Sequence, residues 1–169
     1  CDASAIEGLR LIYPNLPIVY NDPSNLEARG KMLVGSCLAG ISFLKGLGFV
    51  HAISHMVGAE FDTQHGLTNA IVLPSVLKYN QHVMDKKIPI MSEAMGLKKN
   101  DFEYFYNSIC NLLDQLEIPK NLKEISVEES SVKRLAEKAL KDSAFATNPR
   151  TASLEEMVNL INISMNKGR

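Results

Sequence analysis

The chain has 169 residues and a mass of 18.7 kDa, a size that predicts one domain with its own hydrophobic core. Apolar residues make up 46% and charged residues 22%, values close to globular averages, which excludes an intrinsically disordered chain. The net charge is −1, so we expect neither nucleic acid nor an anionic membrane surface as a partner. No apolar run is long enough to predict a transmembrane span.

The three cysteines, Cys1, Cys37 and Cys110, are too few and too widely spaced for a disulfide framework or a zinc cluster. The first residues also lack a signal-peptide pattern, and together these features predict a reducing, cytoplasmic location. Cys37 lies among small apolar residues, which predicts a buried and unreactive thiol. Because the sequence begins at Cys1 without an initiator methionine, we interpret it as part of a longer polypeptide.

In the first half of the chain, the spacing of apolar residues predicts helices, and proline and glycine residues mark where these helices begin or end. Small residues are frequent in the second half of the second helix, which predicts close packing of its backbone against a neighbouring helix. The Gly46-Leu-Gly48 segment predicts a break before the third helix. The predicted elements are a helix from Asp2 that Pro14 and Pro17 end, then helices over 23–44, 50–60 and 67–81, with a kink at Pro74 in the last.

The second half of the chain also predicts helices, with recognisable caps. A helix over 88–95 is expected to stop at Gly96, and a helix over 102–116 is expected to start from Asn100 or Asp101. Two segments have capping-box spacing, a serine followed three residues later by glutamate, and each predicts a helix of about a dozen residues. These boxes are Ser126–Glu129 and Ser153–Glu156. No segment alternates with the period of a strand, so the sequence predicts an all-α bundle of roughly seven to nine helices.

Three of the four histidines lie between positions 51 and 65. His51 and His55 are four residues apart and share one face of a helix, and His65 follows across a turn that can bring it back toward them. Imidazole is the commonest protein ligand for borderline divalent metals, so the spacing favours His51 and His55 as a ligand pair. Ordinary hydrogen-bonded histidines are an equally weighted alternative. His82 is expected to be a solvated surface residue.

The stretch GLGFVHAISHMVGAEFDTQHGLTNAIVLPS, residues 46–75, closely resembles the signature of the iron-dependent (group III) alcohol dehydrogenases. The segments 38–43, 77–80, 148–150 and 153–156 agree with it, so the resemblance covers essentially the whole chain. It implies an all-α, multi-helix bundle like the C-terminal domain of these enzymes and of the dehydroquinate synthase-like fold. It also implies that residues 1–169 form a single C-terminal domain, and that the N-terminal NAD(P)-binding domain is absent from this chain.

The resemblance also implies roles for individual residues. Enzymes of this family hold Fe2+, or sometimes Zn2+, through one aspartate and three histidines. Two of these ligands correspond to His51 and His65, which replaces the His51–His55 pair that helical spacing alone favours. The aspartate and the remaining histidine are expected to precede Cys1. His55 corresponds to a catalytic residue for proton transfer or substrate placement, and Phe43 to an aromatic residue of the substrate pocket.

The implied reaction is the interconversion of an alcohol and an aldehyde or ketone, with the metal as Lewis acid and NAD(P) as hydride carrier. We expect the isolated chain to be inactive, to bind metal weakly or not at all, and to form homo-oligomers through an exposed apolar face. Two alternatives remain open, a helical metal-dependent hydrolase and a non-enzymatic helical interaction domain with structural histidines. Metal content and the sequence upstream of Cys1 discriminate among them.

Overall fold

The computed structural model describes residues 1–166, and over this range the chain contains helices and no strand. The α-helices are α1 (Asp2–Asn21), α2 (Leu26–Ser42), α3 (Gly48–Phe61), α4 (His65–Met84), α5 (Ile88–Ala94), α6 (Phe102–Gln115), α7 (Val132–Ala139) and α8 (Leu154–Asn166). Short 3-10 turns occupy Phe43–Lys45, Leu122–Ile125, Glu129–Ser131 and Phe145–Thr147. The prediction of an all-α, multi-helix fold is confirmed.

The chain divides into two compact units. The first contains Cys1–Lys45 and Met84–Leu116, and the second contains Gly46–Val83 and the chain from Glu117 onward. The expectation of a single helical domain over residues 1–169 stays a prediction. Within the described range no single helix is long and apolar enough to cross a bilayer. The consecutive segments Leu26–Lys45 and Gly48–Phe61 have the required length and apolar composition only when they are counted together.

The first unit is built on the close approach of α1 and α2. A Cβ atom added at Gly35 would lie 2.7 Å from the Ile12 side chain and 3.2 Å from the backbone oxygen of Gly8. A Cβ atom added at Gly8 would in turn lie 3.0 Å from the backbone oxygen of Gly35. The two backbones therefore touch where both helices have glycine, as the small residues of α2 predicted.

The helix α1 continues through Pro14 and Pro17 to Asn21. The sequence-based prediction that these prolines end the helix is therefore wrong. Each proline removes one amide hydrogen and crowds the preceding turn, at a cost of about 3 kcal/mol in an ordinary helix interior. The buried Asn15 side chain donates a hydrogen bond to the Leu11 carbonyl at 2.8 Å within this stretch. Packing along α2 outweighs the local preference, since most helical stability in proteins comes from tertiary contacts.

The predicted ends of other elements in the first unit shift by a few residues. The second helix begins at Leu26 rather than at Pro23, because the Asn25 side chain accepts a hydrogen bond from the Ala28 backbone at 3.0 Å. Asp101 caps α6 by accepting from the Tyr104 backbone at 2.8 Å, as predicted. Cys37 is exposed, so the prediction of a buried thiol is wrong. Its position on α2 turns it away from the α1 contact.

The two predicted capping boxes have different outcomes. Ser153 and Glu156 exchange hydrogen bonds at 2.8 and 3.2 Å, which confirms the box that opens α8. Ser126, however, lies in the left-handed region at φ 66° and ends a 3-10 turn. The helix expected there begins only at Val132 and has 8 residues. A serine with glutamate three residues later caps a helix only where its own backbone is extended, and at Ser126 it is not.

The second unit has a continuous apolar core formed by α3, α4, α7 and α8. The side chains most completely buried in it come from all four helices: Phe49, Ile53, Ile71, Val72, Leu135, Met157, Ile161 and Met165. Burying a large apolar side chain contributes about 1.5–3 kcal/mol, so this core fixes α3 and α4 relative to each other. The histidine-rich segment of the sequence forms these two helices.

Glu60 connects α3 to α7 through ion pairs with Arg134 and Lys138. Hydrogen bonds from Arg134, and secondarily from Lys138, lower the pKa of Glu60 to about 2. A carboxylate with a lowered pKa stabilises the folded chain above its unfolded pKa and loses that contribution as the pH falls through the folded value. We therefore expect Glu60→Gln to lower the urea midpoint at pH 7, and this loss to shrink between about pH 4.5 and about pH 2.

The control for this prediction is Glu137→Gln, at an exposed position on α7. It removes one carboxylate without touching the Glu60 ion pairs. Urea unfolding followed by circular dichroism at a series of pH values measures both variants. A Glu60→Gln deficit that stays constant down to the lowest pH at which the chain folds would contradict the assignment.

Candidate metal centre

Three imidazole rings, those of His51, His55 and His65, meet in the second unit. The ring centroids of His51 and His65 are 5.2 Å apart, those of His51 and His55 are 5.7 Å apart, and those of His55 and His65 are 5.5 Å apart. The His55 and His65 rings are nearly parallel, with an interplanar angle of 15°. The structure therefore brings together all three histidines that the sequence singled out.

The turn between α3 and α4 carries His65 back toward the other two rings. Asp62 ends α3 in the left-handed region at φ 51° and reverses the direction of the chain. The Gln64 side chain then accepts a hydrogen bond from the Leu67 backbone at the start of α4. The Thr68 hydroxyl donates to the Thr63 hydroxyl at 2.8 Å and closes the turn from its other side. His65 is the first residue of α4 and is held by this turn.

The N-terminus of α3 is held by the loop that follows α7. The Thr147 hydroxyl accepts hydrogen bonds from the backbone amides of Leu47 at 3.1 Å and Gly48 at 3.2 Å. The Asn148 side chain accepts from the Phe49 backbone at 3.3 Å. These contacts satisfy amides that a helix start leaves without intrahelical partners. They fix the first turn of α3, which ends at His51, and His55 follows one turn further along the same helix.

Asn69 on α4 connects two of the three rings. Its amide nitrogen lies 3.3 Å from Nε2 of His51 and 3.1 Å from Nε2 of His65. The hydroxyl of the fully buried Ser54 donates to the Asn69 amide oxygen, so the amide nitrogen is the group that faces the rings. An amide nitrogen only donates hydrogen bonds, and both Nε2 atoms therefore accept with their lone pairs.

This arrangement fits part of a metal site. Two neutral imidazoles whose Nε2 lone pairs converge are suitable ligands for iron or zinc. Catalytic centres normally use three or more protein ligands, and within residues 1–166 no group of three or more His, Cys, Asp or Glu side chains is arranged to hold an ion. His51 and His65 can thus supply two ligands of a larger set. The convergence of their Nε2 atoms favours this pair over His51 with His55.

The surroundings of His51 favour its neutral form. Burial, followed by the nearby His65 and His55 rings, lowers the pKa of His51, while a hydrogen bond to the backbone at Leu47 opposes this shift. A neutral imidazole is the form that binds a metal, because protonation occupies the ligating lone pair. The environment of His51 therefore keeps it ready to act as a ligand.

His55 has a different partner. Its Nδ1 lies 3.0 Å from a carboxylate oxygen of Asp142, which follows α7 in the chain. No feature of the sequence points to Asp142, because 87 positions separate it from His55 and no local spacing rule connects the two residues. Asp142 lies six residues before Asn148, outside the segments that carry the family resemblance.

Phe43 opens the 3-10 turn Phe43–Lys45 in the first unit and is 56% exposed. Its role in a substrate pocket stays a prediction. His82, on the last turns of α4, is exposed, as predicted.

Comparison with known proteins identifies the family. Residues 1–165 match the model of the C-terminal part of the Fe-containing alcohol dehydrogenase family. The probable alcohol dehydrogenase EutG of Escherichia coli is 36% identical over 160 residues, which are 94% of this chain and 40% of that protein. The 1,3-propanediol dehydrogenase of Citrobacter freundii is 36% identical over 166 residues, 94% of this chain and 43% of that protein.

Solved structures of alcohol dehydrogenases have the same fold as this chain over nearly its whole length. The crystal structure of a 1,3-propanediol oxidoreductase superposes with a TM-score of 0.93 and 34% identity, over 97% of this chain and 45% of that one. An alcohol dehydrogenase from Oenococcus oeni gives a TM-score of 0.89 with 29% identity, over 96% of this chain and 44% of that one. This chain thus spans less than half the length of each of these four proteins, and it belongs to the Fe-containing alcohol dehydrogenase family as a representative of its C-terminal domain.

Proposed function

We propose that this chain is the metal-binding part of a metal- and NAD(P)-dependent alcohol dehydrogenase in which His51 and His65 are two of the metal ligands. The observation that carries the proposal is the convergence of both Nε2 atoms on the Asn69 amide nitrogen, at 3.3 and 3.1 Å. The family is Fe-containing, and both iron and zinc bind well to imidazole ligands. Family membership argues against the hydrolase and the non-enzymatic interaction domain.

Relatives suggest the class of substrate and cofactor. They include 1,3-propanediol dehydrogenases, an NADPH-dependent butanol dehydrogenase from Clostridium saccharobutylicum and an NAD-dependent methanol dehydrogenase from Bacillus methanolicus. The substrate proposed for this chain is accordingly a small alcohol or the matching aldehyde, with NAD or NADP as cofactor. The nicotinamide cofactor carries the hydride chemistry in such enzymes.

The residues of this chain have separate tasks in the proposed reaction. An Fe2+ or Zn2+ ion, when bound, supplies Lewis-acid chemistry at the alcohol oxygen. Asn69 donates hydrogen bonds to the Nε2 lone pairs of His51 and His65 while no metal is bound, and it would have to give up both bonds for these atoms to bind an ion. His55 accepts the proton that leaves the alcohol hydroxyl, and Phe43 contributes to the substrate pocket.

The proposed location is the cytoplasm, and the proposed assembly is a homo-oligomer, with neither nucleic acid nor membrane as a partner. The apolar side chains of α2 support an interaction surface, because Leu26, Leu33 and Leu44 nearby are 82%, 74% and 85% exposed. Large apolar side chains exposed in this way favour association with another protein surface.

A chimera tests the proposed function. The matching C-terminal part of the Citrobacter freundii 1,3-propanediol dehydrogenase is replaced by this chain, and the reduction of NAD+ and NADP+ is followed with 1,3-propanediol and other small alcohols. We expect turnover that depends on added Fe2+ or Zn2+ and stops after treatment with a chelator. A chimera that folds and binds both nucleotide and metal, yet oxidises no alcohol, would contradict the proposal.

A further inference from the structure

The Asp142 carboxylate is held at both of its oxygens. One oxygen, Oδ2, lies 3.0 Å from Nδ1 of His55. The other, Oδ1, accepts a hydrogen bond from the backbone amide of Ala144 at 2.8 Å. The Asp142 side chain is only 12% exposed, whereas that of His55 is 34% exposed. The loop after α7 thus presents a nearly buried carboxylate in a defined orientation to a more accessible ring.

This contact determines which nitrogen of His55 carries the proton. An ionised carboxylate only accepts hydrogen bonds, so the nitrogen that faces it must donate. Nδ1 of His55 therefore carries the hydrogen of the neutral ring, and Nε2 keeps a lone pair. A neutral imidazole in water prefers the opposite tautomer, with the hydrogen on Nε2, so the carboxylate selects the form that solvent disfavours.

We propose that Asp142 is a positioning residue that holds His55 in its Nδ1–H tautomer and so makes Nε2 the atom that accepts a proton. The inference rests on the proposed function in one respect, the role of His55 in proton transfer. When the alcohol O–H bond breaks and an N–H bond forms at Nε2, the ring becomes an imidazolium beside the Asp142 carboxylate. That carboxylate compensates the new positive charge without itself taking up a proton.

Asp142→Asn provides a sharp test, because the two contacts of the side chain constrain how asparagine can fit. The Ala144 backbone amide requires an oxygen acceptor, so the asparagine oxygen takes that position and its NH2 group faces His55. The NH2 group donates to Nδ1, which leaves the hydrogen of the ring on Nε2. The variant thus keeps the bond within the loop and inverts the tautomer, whereas Asp142→Ala removes both contacts.

The readout is the 15N chemical shift of the ring nitrogens in the full 169-residue chain, labelled on histidine and treated with a chelator. Spectra are recorded over a series of pH values that extends to about two units above the ordinary histidine pKa of about 6.5. His55→Gln identifies the His55 signals by their loss. We expect the Nδ1–H pattern in the wild-type chain, the Nε2–H pattern in Asp142→Asn, and a shift toward the solvent preference in Asp142→Ala.

Asp85→Asn, at an exposed position outside the second unit, makes the same chemical change elsewhere and should leave the His55 signals unchanged. An Nε2–H pattern for His55 in the wild-type chain overturns the inference even if the variants fail to fold. The same tautomer in folded wild-type and Asp142→Asn chains overturns it as well.

This measurement needs no metal, nucleotide or turnover, so its failure leaves the proposed function untouched. A chimera that folds and binds both nucleotide and metal, yet oxidises no alcohol, would refute the proposed function and leave the tautomer result as it stands. In an active chimera, Asp142→Asn should lower kcat about 100-fold, within the range for losing one general acid–base group, with unchanged metal content and little change in KM.

Discussion

Changing His51 or His65 to alanine in the active chimera is expected to remove the metal and abolish turnover, whereas His55→Ala keeps the metal. The loss of a direct ligand should weaken metal binding by more than about 100-fold, beyond the roughly 10–100-fold typical of residues that only support a ligand. His55→Ala should lower turnover by about 100-fold or more, because it removes a proton acceptor and no ligand. Metal analysis after dialysis and steady-state kinetics measure the two effects separately.

The matched control is His82→Ala, because His82 is exposed on α4 and lies outside the ring cluster. It should retain both metal and activity. Loss of metal from His55→Ala together with its retention in His65→Ala would show that the His51–His55 pair, and not the His51–His65 pair, binds the metal. Helical spacing alone favours the His51–His55 pair, and the tertiary structure favours the His51–His65 pair. The experiment therefore shows which of the two pairs binds the metal.

Gly35→Leu is expected to unfold the first unit of this chain or to destabilise it by at least about 3 kcal/mol. Overfilling a well-packed contact usually costs about 1–3 kcal/mol, and here the new side chain meets backbone as well as side-chain atoms, and the backbone cannot change rotamer. The atoms in its way are the Gly8 backbone oxygen and the side chains of Leu11 and Ile12. Urea unfolding followed by circular dichroism measures the change in the free energy of unfolding.

Gly30→Leu is the matched control, since it makes the same substitution in the same helix. A Cβ atom at Gly30 meets nothing within 4 Å, so no packing is disturbed. Leucine has a higher helix propensity than glycine, and the variant should gain about 0.5–1 kcal/mol. Equal losses for Gly30→Leu and Gly35→Leu would contradict the close approach of α1 and α2.

Much of the fold follows from signals that act within one or two helical turns. The box at Ser153 and Glu156 opens α8 by two reciprocal bonds between neighbouring residues, and Asp101 caps α6 in the same local way. Gly96 has the positive φ, 69°, that a stop after α5 requires. Such caps depend on residues at most four positions apart, which is why the sequence predicts them.

Local signals fail where distant contacts are stronger. Pro14 and Pro17 predict the end of a helix, yet α1 continues because its packing on α2 exceeds their cost. Ser126 has the right neighbour for a capping box, yet its backbone is left-handed because a 3-10 turn ends there. At the two prolines the deciding energy comes from packing on α2, whereas at Ser126 it comes from the adjoining 3-10 turn Leu122–Ile125.

The candidate site shows the same division. The sequence by itself determined that three histidines occur together and that the surrounding motif resembles that of one enzyme family. Only the tertiary structure decided which ring nitrogens converge and which partners orient them, through Asn69 on α4 and through Asp142, which lies 87 positions from His55. Hydrogen bonds between distant segments obey geometry rather than spacing, so they exist only once the core of α3, α4, α7 and α8 has formed.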